Sequence, residues 1–173
     1  MQLENFKKVE ANEIEGNPVQ LIGKDWMLIT AGEKEDFNTM TAAWGGIGFL
    51  WNKAVVYCFV RPQRHTFKFT EKYDFLSLCF FDKKYKDVLQ YCGKVSGRDE
   101  NKAEKSGLHP IETANTIAFE EARLITECKT LYKDWIKEKA FQQQSLLSIY
   151  KEKDYHMMYI AEITAVYEKN IIK

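Results

Sequence analysis

The chain has 173 residues, 45% hydrophobic and 14% aromatic, enough to bury one sizeable core and short enough to favour a single domain over 1–173. Lys plus Arg and Asp plus Glu each number 25, so no excess of positive charge marks nucleic acid or an anionic membrane as a partner. The longest apolar runs, Ala54 to Val60 and Phe75 to Phe81, are too short to span a bilayer, and Met1 to Lys8 carries no hydrophobic signal core; the expectation is a cytoplasmic protein.

In chain order, Trp26 to Gly32 is a short apolar run suited to a pleated surface and reads as a strand closed by Gly32. Asn38 to Gly46 reads either as a polar loop and turn with Trp44 as a core anchor, or as a cofactor-lining segment. Ala54 to Val60 is a second strand, ended by Arg61-Pro62 because proline lacks the donor that a central ladder needs. Thr66 to Lys72 reads as a short helix anchored by Phe67 and Phe69, and Phe75 to Phe81 as a third strand. These three strands are nearly continuous apolar runs, which calls for cover on both faces by helices or a second subunit.

Further along, Tyr85, Val88, Leu89 and Cys92 fall at i, i+3, i+4 and i+7, one face of a helix ending at Gly93. Asp99 to Ser106 reads as a short helix with Asp99 as N-cap and Gly107 just past its end. Thr116 to Phe119, Ala122 to Leu131 and Met157 to Tyr167 return to strand, while Phe141 to Ile149 is ambiguous between helix and loop with strand. Cys58, Cys79, Cys92 and Cys128 lack close pairing and read as structural thiols. The sum is a mainly antiparallel β core with two or three helices, most simply a β-barrel.

Four segments offer chemistry. Arg61-Pro62-Gln63-Arg64-His65-Thr66 brings two guanidinium groups and a hydroxyl together after a buried strand, a donor set that suits a phosphate monoester; the alternative is a solvated strand-to-helix turn. Asn38-Thr39-Met40-Thr41-Ala42-Ala43-Trp44 combines hydroxyls, small residues and one indole, which suits the polar edge and face of a ring cofactor. In Gly93 to Asp99, Ser96 and Gly97 can offer donors to an anion or ring edge, and Lys102, beyond Asp99, can stabilise developing negative charge; the alternative is a helix joint with solvated charges. His156, at the mouth of a predicted strand, can contact a ring or donate a proton, or be an internally satisfied histidine. His65, His109 and His156 lack the short shared spacing of a zinc site, so no metal is expected. No Gly-x-Gly-x-x-Gly follows a strand, so a reacting nicotinamide nucleotide would visit the site transiently.

In this order, Asn38 to Trp44, Arg61 to Thr66, Ser96 to Asp99 and Asp154-Tyr155-His156 resemble the flavin reductase-like family, and most of all its flavoredoxin branch. The resemblance implies a six-stranded antiparallel split β-barrel that forms a homodimer, with FMN bound near the subunit interface and reduced by NADH or NADPH or by a redox partner protein. By that likeness Asn38, Thr39, Met40 and Thr41 line the isoalloxazine and ribityl chain, and Trp44 lies near the ring. Arg61, Arg64 and Thr66 hold the phosphate, Ser96, Gly97 and Lys102 approach from the neighbouring loop, and His156 faces the nicotinamide cavity as the catalytic candidate. Many members carry Gly-Asp-His before the last strand; here Asp154-Tyr155-His156 shifts the acid and lacks the glycine. The implied function is an FMN-binding oxidoreductase or electron carrier. The alternatives are an NAD(P)H:flavin reductase that supplies free reduced FMN to a partner, and a non-catalytic flavin-binding module.

Overall fold

Runs rich in β-branched and aromatic residues are extended in the computed structural model, which describes residues 3–170. Met1 and Gln2 of the opening segment, and positions 171–173 of the expected 1–173 domain, lie outside the described residues. The strands are β1 (Phe6–Val9), β2 (Met27–Glu33), β3 (Asp36–Ala42), β4 (Gly45–Leu50) and β5 (Lys53–Val60), then β6 (Phe75–Phe80), β7 (Pro110–Glu112), β8 (Ile117–Phe119), β9 (Leu124–Trp135) and β10 (Met157–Lys169). The α-helices are α1 (Pro18–Gln20), α2 (Thr66–Lys72), α3 (Lys86–Lys94) and α4 (Lys102–Ser106).

The main sheet is antiparallel throughout, in the order β3-β2-β6-β9-β10-β5-β4. β1 adds to the second half of β10, on the edge whose first half belongs to β5. β7 and β8 form a separate hairpin. The mainly antiparallel β class is as the sequence implies, with more strands than six. The largest difference is at Asn38 to Gly46, where the loop-and-turn alternative gives way to β3 and the start of β4. Asn38, Gly45 and Gly46 have low intrinsic preference for strand, but β2 pairs with β3 from Met27↔Ala42 to Glu33↔Asp36. Pairing with a strongly formed neighbour overrides propensity there.

The apolar strands are buried on both faces, as their continuity requires. Met27, Ile29 and Ala31 of β2 join Leu76, Leu78 and Phe80 of β6 and Val56, Cys58 and Val60 of β5 in one core. The intervening Leu28 and Cys79 turn to a second core with Leu89 and Cys92 of α3, Ala103 of α4, and Ile111, Ala118 and Phe119 of the β7–β8 hairpin. This alternation is the period of two of a strand, with a hydrophobic layer on each side. The second layer is therefore supplied by this chain itself and needs no partner. All four cysteines are buried and free, and burial raises the Cys58 and Cys79 thiols to about 12.

Two helix boundaries differ from the sequence reading. α3 continues through Gly93 to Lys94, with the Val95 N–H closing on Tyr91 O. The N-cap of α4 is Asn101, whose side chain accepts from the Glu104 N–H, in place of Asp99. Asp99 instead closes a turn, donating its N–H to Ser96 O. Gly107 ends α4 in the left-handed conformation, the residue type such a cap favours. Phe141 to Ile149 resolves into irregular chain followed by a 3-10 helix at Gln144–Tyr150.

Glu127 of β9 is a buried carboxylate, 1% exposed, and it is fully partnered. It accepts from Asn115 N at 2.9 Å, Asn115 Nδ2 at 2.8 Å and Thr164 Oγ1 at 3.1 Å, tying the β7–β8 turn to β9 and β10. Burial acts to raise its pKa, but the donors of Thr113, Asn115 and Thr164 outweigh it and hold the carboxyl below its ordinary value. A folded pKa below the unfolded one contributes stability above the unfolded pKa, and this is lost as pH falls through the folded value. Glu127→Gln is therefore expected to lower stability at pH 7 by about 1–3 kcal/mol in urea unfolding. The gap to wild type should narrow as pH falls below about 4.3. A gap that stays constant into acid would show that ionisation of Glu127 does not carry the effect.

Candidate functional site

The ends of β3, β5 and α3 converge on one chamber of about 470 Å³, within the usual range for a small-molecule site. Met40, Thr41 and Ala42 form one wall from β3, Leu89 and Gly93 another from α3, and Trp44, Phe59 and His156 supply aromatic surface. Thr41 faces this wall with its hydroxyl tied to the carbonyl of Leu89, which fixes α3 against β3. Trp44 is 48% exposed at the chamber mouth and its ring lies 5.2 Å from that of His156.

A smaller recess of about 270 Å³ adjoins the chamber, and Met40, Arg61, Arg64 and Lys94 line both. Its cations are Arg61, Arg64, Lys94, Arg98 and Lys102, joined by His65, Thr66 and Ser96, and no Asp or Glu lines it. The positive groups are held mostly by neutral carbonyls: Arg64 Nη1 donates to Gly93 O at 2.6 Å, and Lys102 Nζ to Thr39 O and Cys92 O at 2.9 Å each. Burial and then repulsion from Arg61 hold the Arg64 pKa below its ordinary value. Burial, with Arg64 also opposing the charge, lowers Lys102 to about 8. His65 Nδ1 is buried with no hydrogen-bond partner among the described residues. Cations packed together with carbonyls as partners leave positive charge for an anion to neutralise.

The sequence placed Arg61 with Arg64 as a pair, but the structure gives them different settings. Arg61 Nη1 donates to Asp154 Oδ2 at 2.6 Å and Nη2 to Ile149 O at 3.2 Å, so its charge is partly met by the connector between β9 and β10. Arg64 meets no carboxylate among the described residues. Lys102 likewise spends two of its three N–H groups on the backbone, which makes it a clamp between β3 and α3 as well as a recess wall.

His156 precedes β10 and is buried. Burial first, and then the positive field of Arg61 and Arg64, lower its pKa to about 4, so the imidazole is neutral at pH 7. Its Nδ1 lies 2.9 Å from the hydroxyl of Tyr150.

The remaining expected residues stand a little apart. Asn38 and Thr39 border a third, polar groove with Gly97 and Lys102. Asn38 Nδ2 donates to Thr66 Oγ1 at 2.7 Å, and Thr39 Oγ1 meets Thr30 Oγ1 at 2.9 Å. A Cβ at Gly97 would collide with the Asn38 amide, so glycine lets this loop close on β3. The chamber thus gathers Met40, Thr41, Trp44, Arg61, Arg64 and His156, the recess adds Thr66, Ser96 and Lys102, and Asn38, Thr39 and Gly97 lie behind them. Phe59, Leu89, Lys94, Arg98 and Tyr150 were not named as site residues from sequence. Lys94 and Arg98 flank Ser96-Gly97 and were legible as charge beside a turn, whereas Phe59 was hidden in a strand that reads as pure core.

The sequence matches the family model of the flavin reductase like domain over residues 20–172. The structure is similar to flavoredoxin of Desulfovibrio vulgaris (Miyazaki F), with 18% identity, 95% of this chain and 77% of that chain covered, and a TM-score of 0.67. It is also similar to an FMN-binding domain of a flavin reductases-like enzyme from Shewanella baltica OS155, with 17% identity, coverage of 95% and 78%, and a TM-score of 0.68. Nitrilotriacetate monooxygenase component B from Bacillus cereus matches at 15% identity, coverage of 95% and 82%, and a TM-score of 0.67. No curated protein matches the sequence. These structural likenesses establish a shared split-barrel fold, and with the family model spanning most of the sequence, the chain belongs to the flavin reductase-like family.

Proposed function

We propose that this chain is an FMN-dependent oxidoreductase, an electron carrier of the flavoredoxin kind reduced by NADH or NADPH or by a redox partner protein. The observation that carries the reading is the carboxylate-free recess of five cationic residues opening from an aromatic chamber. That pairing matches a ligand with a planar ring at one end and a phosphate monoester at the other. Bound flavin supplies hydride and single-electron chemistry, which protein side chains lack. The chain's own part is to hold and screen it. Arg64, Ser96 and Thr66 take the phosphate, Met40, Thr41 and Phe59 bound the ring space, and Asn38 and Thr39 set β3 behind it. Neutral His156 beside Trp44 offers a polar edge to a visiting nicotinamide.

The exposed mouth at Trp44 favours one second reading, a reductase that exchanges its flavin with a partner monooxygenase. Steady-state NADH or NADPH oxidation separates the two. A carrier with resident FMN is expected to turn over little faster when free FMN is added in excess, and a rate that saturates with free FMN would establish the exchanging reductase.

The phosphate assignment predicts tighter binding of FMN than of riboflavin. Arg64→Gln is expected to weaken FMN binding about 10–100-fold, the effect of losing a charge-assisted hydrogen bond, and to change riboflavin affinity little. Fluorescence titration of both flavins checks this, and equal affinities in the wild type would remove the phosphate from the recess.

A homodimer remains part of the reading, with a different physical basis from the bare apolar strands. Five of the exposed large apolar side chains lie on the second half of β9 and on the β4–β5 hairpin: Leu131, Tyr132, Trp135, Phe49 and Trp51. The Trp51 and Tyr132 rings meet 6.4 Å apart, edge to face. Exposed aromatic clusters of this kind mark association surfaces. Light scattering is expected to give a dimer for wild type and a shift toward monomer for Tyr132→Glu. A flavin-bound wild-type monomer at micromolar concentration would overturn the proposal.

A further inference from the structure

We propose that Tyr150 is a positioning residue that fixes His156 as an Nε2–H donor toward the chamber, for an acceptor oxygen on the molecule that reacts with the flavin. The inference rests on the flavin reading of the chamber and adds to it a residue outside its lining.

The argument begins with a proton. Tyr150 is 6% exposed, and His156 Nδ1, at 2.9 Å, is the one hydrogen-bond partner of its hydroxyl among the described residues. A buried phenol needs an acceptor for its O–H hydrogen. Burial also raises the Tyr150 pKa, so the hydroxyl keeps its proton. Nδ1 is the available acceptor. It therefore carries no hydrogen, and since the imidazole is neutral, the hydrogen is on Nε2. Had Nδ1–H donated to the phenol oxygen, the phenol hydrogen would be buried without a partner, which costs more than the bond returns. With Nδ1 committed to Tyr150, Nε2 is the nitrogen left for the chamber that His156 lines.

Tyr150 is itself held from several sides. The Arg61 guanidinium carbon lies 5.2 Å from its ring centroid, and Arg61 also ties Ile149 O and Asp154 on either side of it. Tyr155 stacks on the ring at a centroid distance of 4.8 Å, and Phe141 packs at 5.9 Å. Trp44 and Phe59 meet the imidazole at 5.2 Å and 6.3 Å. The imidazole is confined between aromatic rings, and the phenol decides its tautomer. A donor with one fixed hydrogen orients a carbonyl acceptor, such as the carboxamide of a nicotinamide or the carbonyl of an electron-accepting substrate.

Tyr150→Phe keeps the ring and removes only the hydroxyl. Histidine nitrogen NMR on apo protein is expected to show His156 as a single Nε2–H tautomer in wild type and as a tautomer mixture in the variant. FMN affinity should stay within about twofold, and flavin reduction by NADH or NADPH in stopped flow should slow by about three- to tenfold, the effect of one lost hydrogen bond. His156→Ala should slow reduction as well, and adding Tyr150→Phe to it should cost nothing further, because residues acting through one another are non-additive. An unchanged His156 tautomer in Tyr150→Phe, or fully additive rate losses in the double variant, would overturn the role of Tyr150. Failure of the wild type to bind FMN would instead overturn the flavin reading, and the apo NMR result reports on Tyr150 independently of it.

Discussion

Antiparallel pairing along β10 is the constraint on which the rest of the architecture hangs. One edge of this strand is occupied by β9 from Met157↔Trp135 to Glu168↔Leu124. The other is divided between β5 at its start and β1 at its end. A strand filled on both edges cannot slip register without turning every side chain to the wrong face. Irregularities in the β9 pairing at Ile160/Ala161 and Ile163/Ala165 bend the ladder, the usual device for curving a sheet. His156 stands one residue before this fixed strand, and its carbonyl accepts from Ile136 N beyond the end of β9. The position of the imidazole thus inherits the rigidity of the longest hairpin in the chain, while Arg61, one residue past β5, inherits that of the neighbouring strand.

The electrostatics of the site follow from what the cations are bonded to. Surface lysines such as Lys72 and Lys137 pair with carboxylates, Asp36 and Asp134, and so cancel locally. Arg64 and Lys102 are bonded to carbonyl oxygens, which orient a charge without neutralising it. Of the recess cations, Arg61 has a carboxylate partner, and that partner, Asp154, belongs to the connector carrying Tyr150 and lines neither the chamber nor the recess. The same guanidinium therefore touches the recess, the connector and, through the Tyr150 ring, the histidine, coupling three parts of the site that are remote in sequence.

Much of this was legible from residue pattern. The apolar runs that become β2, β5 and β6 were readable because both faces are covered, and α3 because Tyr85, Val88, Leu89 and Cys92 recur at helical spacing. β3 was not, since the run from Asn38 to Thr41 is too polar to read as a core strand and is buried by pairing with β2. Within the site, Arg61, Arg64 and Thr66 stood out as a local cluster. The difference between the two arginines did not, because it depends on Asp154, 93 positions from Arg61, being folded beside it. Tyr150 was passed over for the same reason: in sequence it is one aromatic just past an ambiguous segment, and its meaning comes from the nitrogen it faces.

The buried cysteines bear on what the proposed flavin chemistry would meet inside this fold. A flavoprotein working in air generates peroxide, and the sulfur species that peroxide attacks is the exposed thiolate. Cys58, Cys79 and Cys128 have no solvent contact, and burial holds each thiol protonated far above neutral pH. Cys92, the one nearest the recess through its carbonyl bond to Lys102, is raised as well. The fold therefore keeps four thiols protonated and out of solvent, so that a flavin bound as proposed would work beside sulfur atoms that peroxide does not readily oxidise.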